Sequence, residues 1–149
     1  MACDLLIFAP HPDDAEIHCG ATIAAQVRQG ARVVLVDATR GELGSRGTTA
    51  ERNAESAAAA RVLGVAERHN LELPDGGLLT GDRGQRDAVV EAIRRHAPRT
   101  VLSIGPASRH GDHLALHELV AGAVKLAALD GLGGGAGGGG DLVAGAVGQ

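Results

Sequence analysis

The sequence predicts an α/β fold in which helices cover both faces of a mainly parallel β-sheet. Short strand-like runs alternate four times with longer helical patterns along the chain, and this alternation is typical of consecutive β-α units with right-handed crossovers. The run VVLVDA lacks polar alternation, which indicates a strand covered on both faces. A chain of 149 residues is long enough to form one domain around such a sheet.

The first β-α unit consists of the strand LLIFA (5–9) and the helix that follows it. A proline comes directly after the strand, and apolar residues then recur at helical spacing from Ala15 to Gln29. Gly30 supplies a C-cap signal. The unit therefore predicts one strand and one helix of about four turns.

The second unit begins with the β-branched run at 33–38 and continues through a polar, glycine-containing loop. Thr48 and Glu51 have the spacing of a capping box, which predicts the start of the second helix. That helix is rich in alanine and ends at Gly64.

Two further units complete the alternation. Their strands are predicted at 69–74 and 100–105, and their helices at Gln85–His96 and Leu114–Leu129. The third helix is amphipathic, so one of its faces should pack on the sheet.

The C-terminal segment differs in composition from the rest. Residues 131–140 contain eight glycines in ten positions, and such a stretch cannot meet the entropy cost of a packed element. We therefore predict a domain at 1–130 and a flexible, glycine-rich tail at 131–149. The last nine residues, DLVAGAVGQ, fit a strand and a frayed end equally well. The predicted sheet is truncated after the fourth unit, which leaves one edge of its fourth strand unpaired.

Composition and charge exclude several classes of function. Hydrophobic residues make up 44% of the chain and charged residues 21%, as in an ordinary soluble domain. The formal net charge of −4 argues against a nucleic-acid surface, which would be basic. No apolar run approaches the roughly 20 residues of a membrane span. We expect neither nucleic acid nor a membrane as a partner.

The cysteines and the N-terminus favour a cytoplasmic location. Cys3 opens the first strand, whereas Cys19 lies in the returning helix. Their positions along the strand direction therefore differ by around 10 Å, and no disulfide is expected. The first ten residues contain neither a basic region nor an apolar run long enough for a signal peptide. We therefore expect a cytoplasmic protein with free thiols.

Two motifs each follow a predicted strand and open a helix. HPDD (11–14) follows the first strand and RHGDH (109–113) follows the fourth. In Rossmann-like three-layer α/β/α folds with strand order 3-2-1-4, strands 1 and 4 are neighbours whose connections leave in opposite directions, and ligands bind at this switch point. The topology therefore brings six side chains into one crevice: His11, Asp13, Asp14, His110, Asp112 and His113.

Three imidazoles and three carboxylates in one crevice predict a catalytic metal site. Two histidines and one carboxylate are the usual ligands of an open catalytic zinc. The same set suits a non-haem Fe(II) centre, so the ligand types leave both metals open. The remaining acid can take a proton from water, and the remaining histidine can donate to a developing oxyanion.

Purely structural roles also exist for these residues. Asp13 or Asp14 can cap the first helix, and Asp112 can cap the fourth. The matching positions of the two motifs favour a shared site over two unrelated caps. His18 and His117 lie inside predicted helices, where we expect them to face solvent or to pack.

A dinucleotide-binding domain is the main alternative of another class. Its first strand-helix turn would need glycines that let a pyrophosphate approach backbone N–H groups. Here that turn holds Asp13 and Asp14, which would repel phosphate. Asp37 lies where a ribose-binding acid would fall, and we interpret it as a strand-end residue.

Five segments occur in the order found in a known family. They read HPDDAEIHCGAT, GELGSRGT, ERNAESAAAARVLGV, LELPDGGL and RHGDH. From Leu5 to about Ala127 the chain resembles the LmbE-like (PIG-L) N-acetylglucosaminyl deacetylases, most closely the bacillithiol-biosynthesis branch.

The resemblance implies a metal-dependent hydrolase and assigns roles to the predicted crevice. His11, Asp14 and His113 would hold the metal, usually Zn²⁺. Asp13 would be the general base that activates water, and His110 would stabilise the tetrahedral oxyanion.

The resemblance also implies supporting residues and a substrate. Asp112 would orient a histidine, Arg52 would contact the substrate, and Arg109 would help to shape the pocket. The substrate would be a small glycoconjugate, in this branch N-acetylglucosaminyl malate, whose acetamide is hydrolysed to acetate and the amine. Family members commonly form homo-oligomers, so we expect one here.

Two departures from the family pattern keep other hypotheses open. The last motif has Gly111 where the family has proline, which makes this loop more flexible in the unfolded chain. Family members also continue beyond the point where this chain enters its glycine tract. The alternatives are a truncated, non-catalytic remnant that keeps the metal site and an Fe(II)-dependent oxygenase.

Overall fold

The protein is described by a computed structural model that covers residues 1–105, 107–129 and 143–147. Helices and strands alternate along the chain in the order β1 Leu5–Ala9, α1 Asp14–Arg28, β2 Val33–Thr39, α2 Thr49–Leu63, β3 Glu67–Leu73, α3 Arg83–His96, β4 Thr100–Ile104, α4 Gly111–Ala127 and β5 Val143–Val147. The described strands form one sheet in the order β3-β2-β1-β4-β5. The predicted order 3-2-1-4 is confirmed.

Strand register brings the carboxyl ends of β1 and β4 to the same edge of the sheet. Leu5 lies opposite Val33 of β2 on one side and opposite Thr100 of β4 on the other. All described pairs are parallel. The loops that leave β1 and β4 therefore emerge side by side, as the switch-point rule requires.

The sheet is buried on both faces. Leu6 and Phe8 of β1 point into the core formed with α3 and α4, whereas Leu5 and Ile7 point into a second core that contains Ile23 of α1. Each fully buried side chain of this size contributes about 1.5–3 kcal/mol to the free energy of unfolding. This confirms the predicted three layers, with α1 and α2 on one face and α3 and α4 on the other.

Helix ends follow the local sequence. Thr48 and Glu51 form the predicted capping box, and Gly64 takes a left-handed conformation at the end of α2. α4 begins at Gly111, three residues before the predicted start, because His110 and not Asp112 is its N-cap. β3 begins at Glu67, two residues earlier than predicted.

A fifth strand extends the predicted sheet. Val143–Val147 pairs in parallel with β4, so that Thr100 lies opposite Val143 and Ile104 opposite Val147. The expectation that β4 leaves an unpaired edge is therefore wrong, and DLVAGAVGQ contains a strand. The rest of the predicted tail, 130–142 and 148–149, lies outside the described residues.

Buried polar and sulfur groups in the sheet have structural partners. Arg68 of β3 donates to both carboxylate oxygens of Asp37, at 2.7 and 3.0 Å, and also contacts Glu16 of α1. Asp37 is thus held in an ion pair at the end of β2. Cys3 and Cys19 are buried free thiols, as predicted. In the described part of the chain, no helix has the length and apolar character needed to cross a bilayer.

Candidate active site

The two predicted motifs meet at the carboxyl edge of the sheet. HPDD links β1 to α1, and RHGDH leads from β4 into α4. The ring centroid of His11 lies 4.9 Å from that of His110 and 5.5 Å from that of His113. Residues separated by about a hundred positions in sequence therefore share one crevice, as the topology predicts.

His11, Asp14 and His113 are spaced as metal ligands. His11 Nδ1 lies 3.1 Å and His113 Nε2 lies 3.3 Å from the same oxygen, Asp14 Oδ2. A tetrahedral cation with bonds of about 2.0–2.1 Å would hold its ligand atoms roughly 3.3 Å apart. All three side chains are largely buried, and their imidazole and carboxylate donors suit zinc and Fe(II). The donor set thus fits a divalent cation.

The other ring nitrogen of His11 faces carboxylates. His11 Nε2 lies 3.1 Å from Asp112 Oδ2 and 3.0 Å from Asp75 Oδ1. Burial lowers the pKa of His11, but its hydrogen bonds with Asp14 and Asp112 outweigh burial and raise that pKa to about 9. A cation bound between His11 and Asp14 would replace the proton on Nδ1, and the ring would keep its proton on Nε2 facing Asp112, which is the tautomer a metal ligand needs.

Asp112 connects three parts of the site. Its carboxylate accepts hydrogen bonds from the backbone N–H groups of Gly76, at 2.8 Å, and Leu78, at 3.2 Å, in addition to its contact with His11. Burial raises the pKa of Asp112, but these hydrogen bonds outweigh burial and lower it. Asp112 therefore anchors the β3–α3 loop and the start of α4 around His11.

Asp13 occupies a strained backbone position beside the three potential ligands. Asp13 stands at the N-cap position of α1 with φ 152°, but its side chain makes no capping hydrogen bond, so capping does not account for its carboxylate. Burial and the charge of Asp14 raise the pKa of Asp13, against the opposing effect of Arg52. Backbone strain in a non-glycine residue is often found at functional sites, where it holds a side chain in a required position. The carboxylate is 57% exposed and faces the Arg52 guanidinium.

Arg52 lies in a cradle formed by the GELG segment. Its Nη2 lies 3.6 Å from Asp13 Oδ2 and donates to the Pro12 carbonyl at 3.5 Å. A Cβ atom built on Gly41 would stand 2.8 Å from Arg52 Cζ, and one on Gly44 would overlap Nη1. These glycines are therefore needed for the guanidinium to lie against Asp13.

His110 and Arg109 are exposed residues of the loop before α4. The backbone N–H of Asp112 donates to His110 Nδ1 at 3.2 Å. A neutral His110 must then carry its proton on Nε2 and can donate it into the crevice. The structure places Arg109 in the same loop, next to His110.

A groove of about 310 Å³ adjoins Asp13. It is lined by Pro12, Asp13, Glu16, Ile17, Arg46, Arg52, Glu55, Ser56 and Ala59. Its walls come from the first turns of α1, from α2 and from the loop before α2. The groove offers a ligand apolar contact from Ile17 and Ala59, together with two guanidinium groups and three carboxylates.

Sequence reasoning missed Asp75, which lies in the LELPDGGL segment used only for the family resemblance. Asp75 also links two loops, since its Oδ2 accepts from the Leu43 backbone N–H at 2.8 Å. The sequence shows Asp75 as an acidic residue in a turn-rich stretch, but its neighbours in sequence do not indicate that it faces His11. Of the histidines placed outside the site, His18 has its Nε2 3.8 Å from Asp14 Oδ1, and His117 donates from Nδ1 to the Ile104 carbonyl at 3.0 Å.

The chain is similar in sequence to known proteins. The model of the PIG-L family, described as GlcNAc-PI de-N-acetylase, matches residues 6–124. The chain is 32% identical to a 1D-myo-inositol 2-acetamido-2-deoxy-alpha-D-glucopyranoside deacetylase of Kineococcus radiotolerans, over 85% of this chain and 46% of that protein.

Two solved structures are similar in fold. The conserved protein TT1542 from Thermus thermophilus superposes with a TM-score of 0.83 at 46% identity, over 87% of this chain and 58% of that chain. The N,N'-diacetylchitobiose deacetylase from Pyrococcus horikoshii gives a TM-score of 0.81 at 28% identity, over 87% of this chain and 52% of that chain. The chain thus spans about half the length of the relatives it matches.

Proposed function

Because the chain belongs to the PIG-L family of GlcNAc-PI de-N-acetylases, we propose that it is a metal-dependent hydrolase that removes the N-acetyl group of an N-acetylglucosaminyl conjugate. The observation that carries this proposal is the convergence of His11 Nδ1 and His113 Nε2 on one oxygen of Asp14. We propose Zn²⁺ as the cation, since two imidazoles and one carboxylate with a free position are its usual catalytic ligands.

The chain's own residues supply the proton transfers. A cation bound by the three ligands would polarise the acetamide carbonyl and make a water molecule more acidic. Asp13 accepts the proton of the attacking water, for which its raised pKa makes it better suited than an ordinary aspartate. The Nε2–H of His110 donates to the developing oxyanion. The proton on Asp13 then passes to the leaving amine, which gives acetate and a glucosaminyl product.

The groove suggests the nature of the group attached to the sugar. Arg46 and Arg52 both line it beside Asp13, and guanidinium groups bind carboxylates in preference to neutral hydroxyls. This supports N-acetylglucosaminyl malate, the dicarboxylate conjugate of bacillithiol biosynthesis, as the substrate. Arg52 already faces Asp13 at 3.6 Å, so a malate carboxylate would have to be bound chiefly by Arg46.

Metal analysis combined with acetate release tests the proposal. The purified protein should contain about one tightly held divalent metal at this site, and His113→Ala should lose most of it, because two ligands bind a cation much more weakly than three. The metal-loaded protein should release acetate faster from the malate conjugate than from the inositol conjugate.

Three results would contradict parts of this proposal. Unchanged metal content in His11→Ala, Asp14→Ala and His113→Ala would show that the site is wrong. Bound metal without acetate release from either conjugate would favour the non-catalytic remnant. Iron, together with substrate oxidation, would favour the oxygenase alternative.

A further inference from the structure

A second group of potential metal ligands lies on the face of β3 that α3 covers. Glu67 and His69 are two residues apart on β3 and therefore point to the same side of the sheet. His96 is the last residue of α3. One ligand atom from each of the three residues lies within 4.8 Å of the others.

This cluster is separate from the active site. Glu67 opens β3 opposite Val34, and Val34 lies opposite Leu6 of β1. Leu6 precedes His11 by five residues, so the two sites are on the order of 15 Å apart along the strand direction. The cluster also lies two strands away across the sheet, roughly 10 Å, so neither site can share a cation with the other.

The cluster contains a buried ring nitrogen without a partner. His96 is 2% exposed, and its Nδ1 finds no hydrogen-bond partner among the described residues. The rings of His69 and His96 lie 4.9 Å apart, and His69 Nε2 lies 2.9 Å from Glu67 Oε2. A buried polar atom without a partner is costly to stability, and a cation bound through His96 Nδ1 would remove that cost.

The neighbours of the cluster fix its geometry and leave it accessible. The Arg32 guanidinium contacts Glu67 Oε1, so Oε2 is left for the histidines, and hydrogen bonds of this kind commonly orient a ligating carboxylate. The backbone carbonyl of His96 accepts from the Cys3 N–H at 2.9 Å, which holds the end of α3 against the start of β1. The side chains of His69 and Glu67 are 28% and 34% exposed, so an ion can reach them.

We propose that Glu67, His69 and His96 form a second divalent-metal site, for Zn²⁺ or a similar ion, that joins the end of α3 to the edge strand β3. Two imidazoles and one carboxylate suit zinc and leave one position for water. The positive charge of Arg32 beside Glu67 opposes a cation, so this site binds more weakly than the active site.

Zinc titration of the full chain by calorimetry, with elemental analysis after dialysis, tests the proposal. The wild type should bind two equivalents of Zn²⁺, and His113→Ala should keep the weaker one. His69→Gln and Glu67→Gln should each lose the weaker equivalent and keep the tighter one. Glu72→Gln is the matched control, since Glu72 is an exposed carboxylate of the same strand outside the cluster, and it should keep both.

Thermal unfolding gives a second readout that is independent of catalysis. Zn²⁺ should raise the midpoint of His113→Ala, because a ligand that binds only the folded state stabilises it. The double variant His69→Gln, His113→Ala should show no such rise. The proposal would be overturned if the wild type bound only one equivalent of Zn²⁺ and the His113→Ala variant bound none. A second equivalent that survives in both His69→Gln and Glu67→Gln would also overturn it.

Discussion

Asp13 and Asp14 are adjacent in sequence but have opposite environments at the scale of the single residue. Burial raises the pKa of Asp14, but the hydrogen bonds of His11 and His113 outweigh burial and hold it well below its usual range. Burial and the Asp14 charge instead raise the pKa of Asp13, whose side chain is 57% exposed. Two carboxylates with pKa values moved apart are suited to different tasks, here metal ligation and proton transfer.

The first prediction separates these two tasks. Asp13→Asn should retain metal, because Asp13 is not among the three converging ligands. Its acetate release should fall by roughly 10²-fold or more, since the amide cannot accept the proton of the attacking water. Metal content and kcat would be measured on the same sample. Turnover equal to wild type would mean that another group activates the water.

The second prediction concerns the cradle of Arg52. Gly44→Ala places a methyl group against Arg52 Nη1 and 3.0 Å from the Gly41 carbonyl oxygen, so the guanidinium must move away from Asp13. We expect kcat/KM to fall by about 10- to 100-fold, the effect of displacing a positioning group by about 1 Å. Gly20→Ala is the control, because its added methyl meets no atom within 4 Å. Equal losses in both variants would contradict a specific role for the cradle.

At the scale of elements, three site residues lie where the loop after β4 enters α4. His110 is the N-cap of α4, and Asp112 and His113 lie in its first turn. His110 is already extended, with φ −85° and ψ 128°, and Gly111 is the first helical residue. A proline is well suited to this first position, and it restricts the preceding residue to the extended conformation that His110 has. The glycine at 111 is thus not required by the folded backbone.

The third prediction follows from that geometry. Gly111→Pro should raise the free energy of unfolding by about 0.4–1 kcal/mol, because it restricts the unfolded chain at a compatible position. Nothing lies within 4 Å of a Cβ added there. Gly122→Pro, in the interior of the same helix, should instead cost about 3 kcal/mol or more. Urea denaturation would measure both, and a destabilised Gly111→Pro would show that the loop needs glycine.

At the scale of the whole molecule, β5 protects the edge of β4. An unpaired parallel edge would offer N–H and C=O groups to another chain, and β5 pairs with β4 over its five residues. β3 remains paired with β2 only, among the described strands. The homo-oligomer expected from the family resemblance stays a prediction, which sedimentation or size-exclusion chromatography would test.

The fourth prediction measures the contribution of β5. Ala144 and Gly145 are consecutive residues of this strand, and alternate N–H groups of a strand point toward the same neighbour. Replacing both by proline therefore removes at least one N–H that donates to β4. We expect a lower urea midpoint and elution as larger species. A midpoint and an elution volume equal to those of the wild type would show that β4 does not depend on β5.

The sequence by itself determined four of the five described strands, the four described helices, their order and the main side chains that meet in the crevice. Strand-like runs, the capping box of Thr48 and Glu51, and glycine stops are local signals, since they depend on neighbours within a few residues. The switch-point rule then placed HPDD and RHGDH together, because strand order fixes which loops emerge side by side. The resemblance to the PIG-L family added specific roles for these residues.

Only the tertiary structure decided which atoms face each other. Asp75 meets His11, and His96 meets the Glu67–His69 pair, through contacts between segments far apart in sequence. The fifth strand likewise depends on the edge that β4 offers, and its own sequence fits a strand and a frayed end equally well. Burial, strand register and hydrogen-bond partners come from packing against distant segments, and local sequence patterns do not encode them.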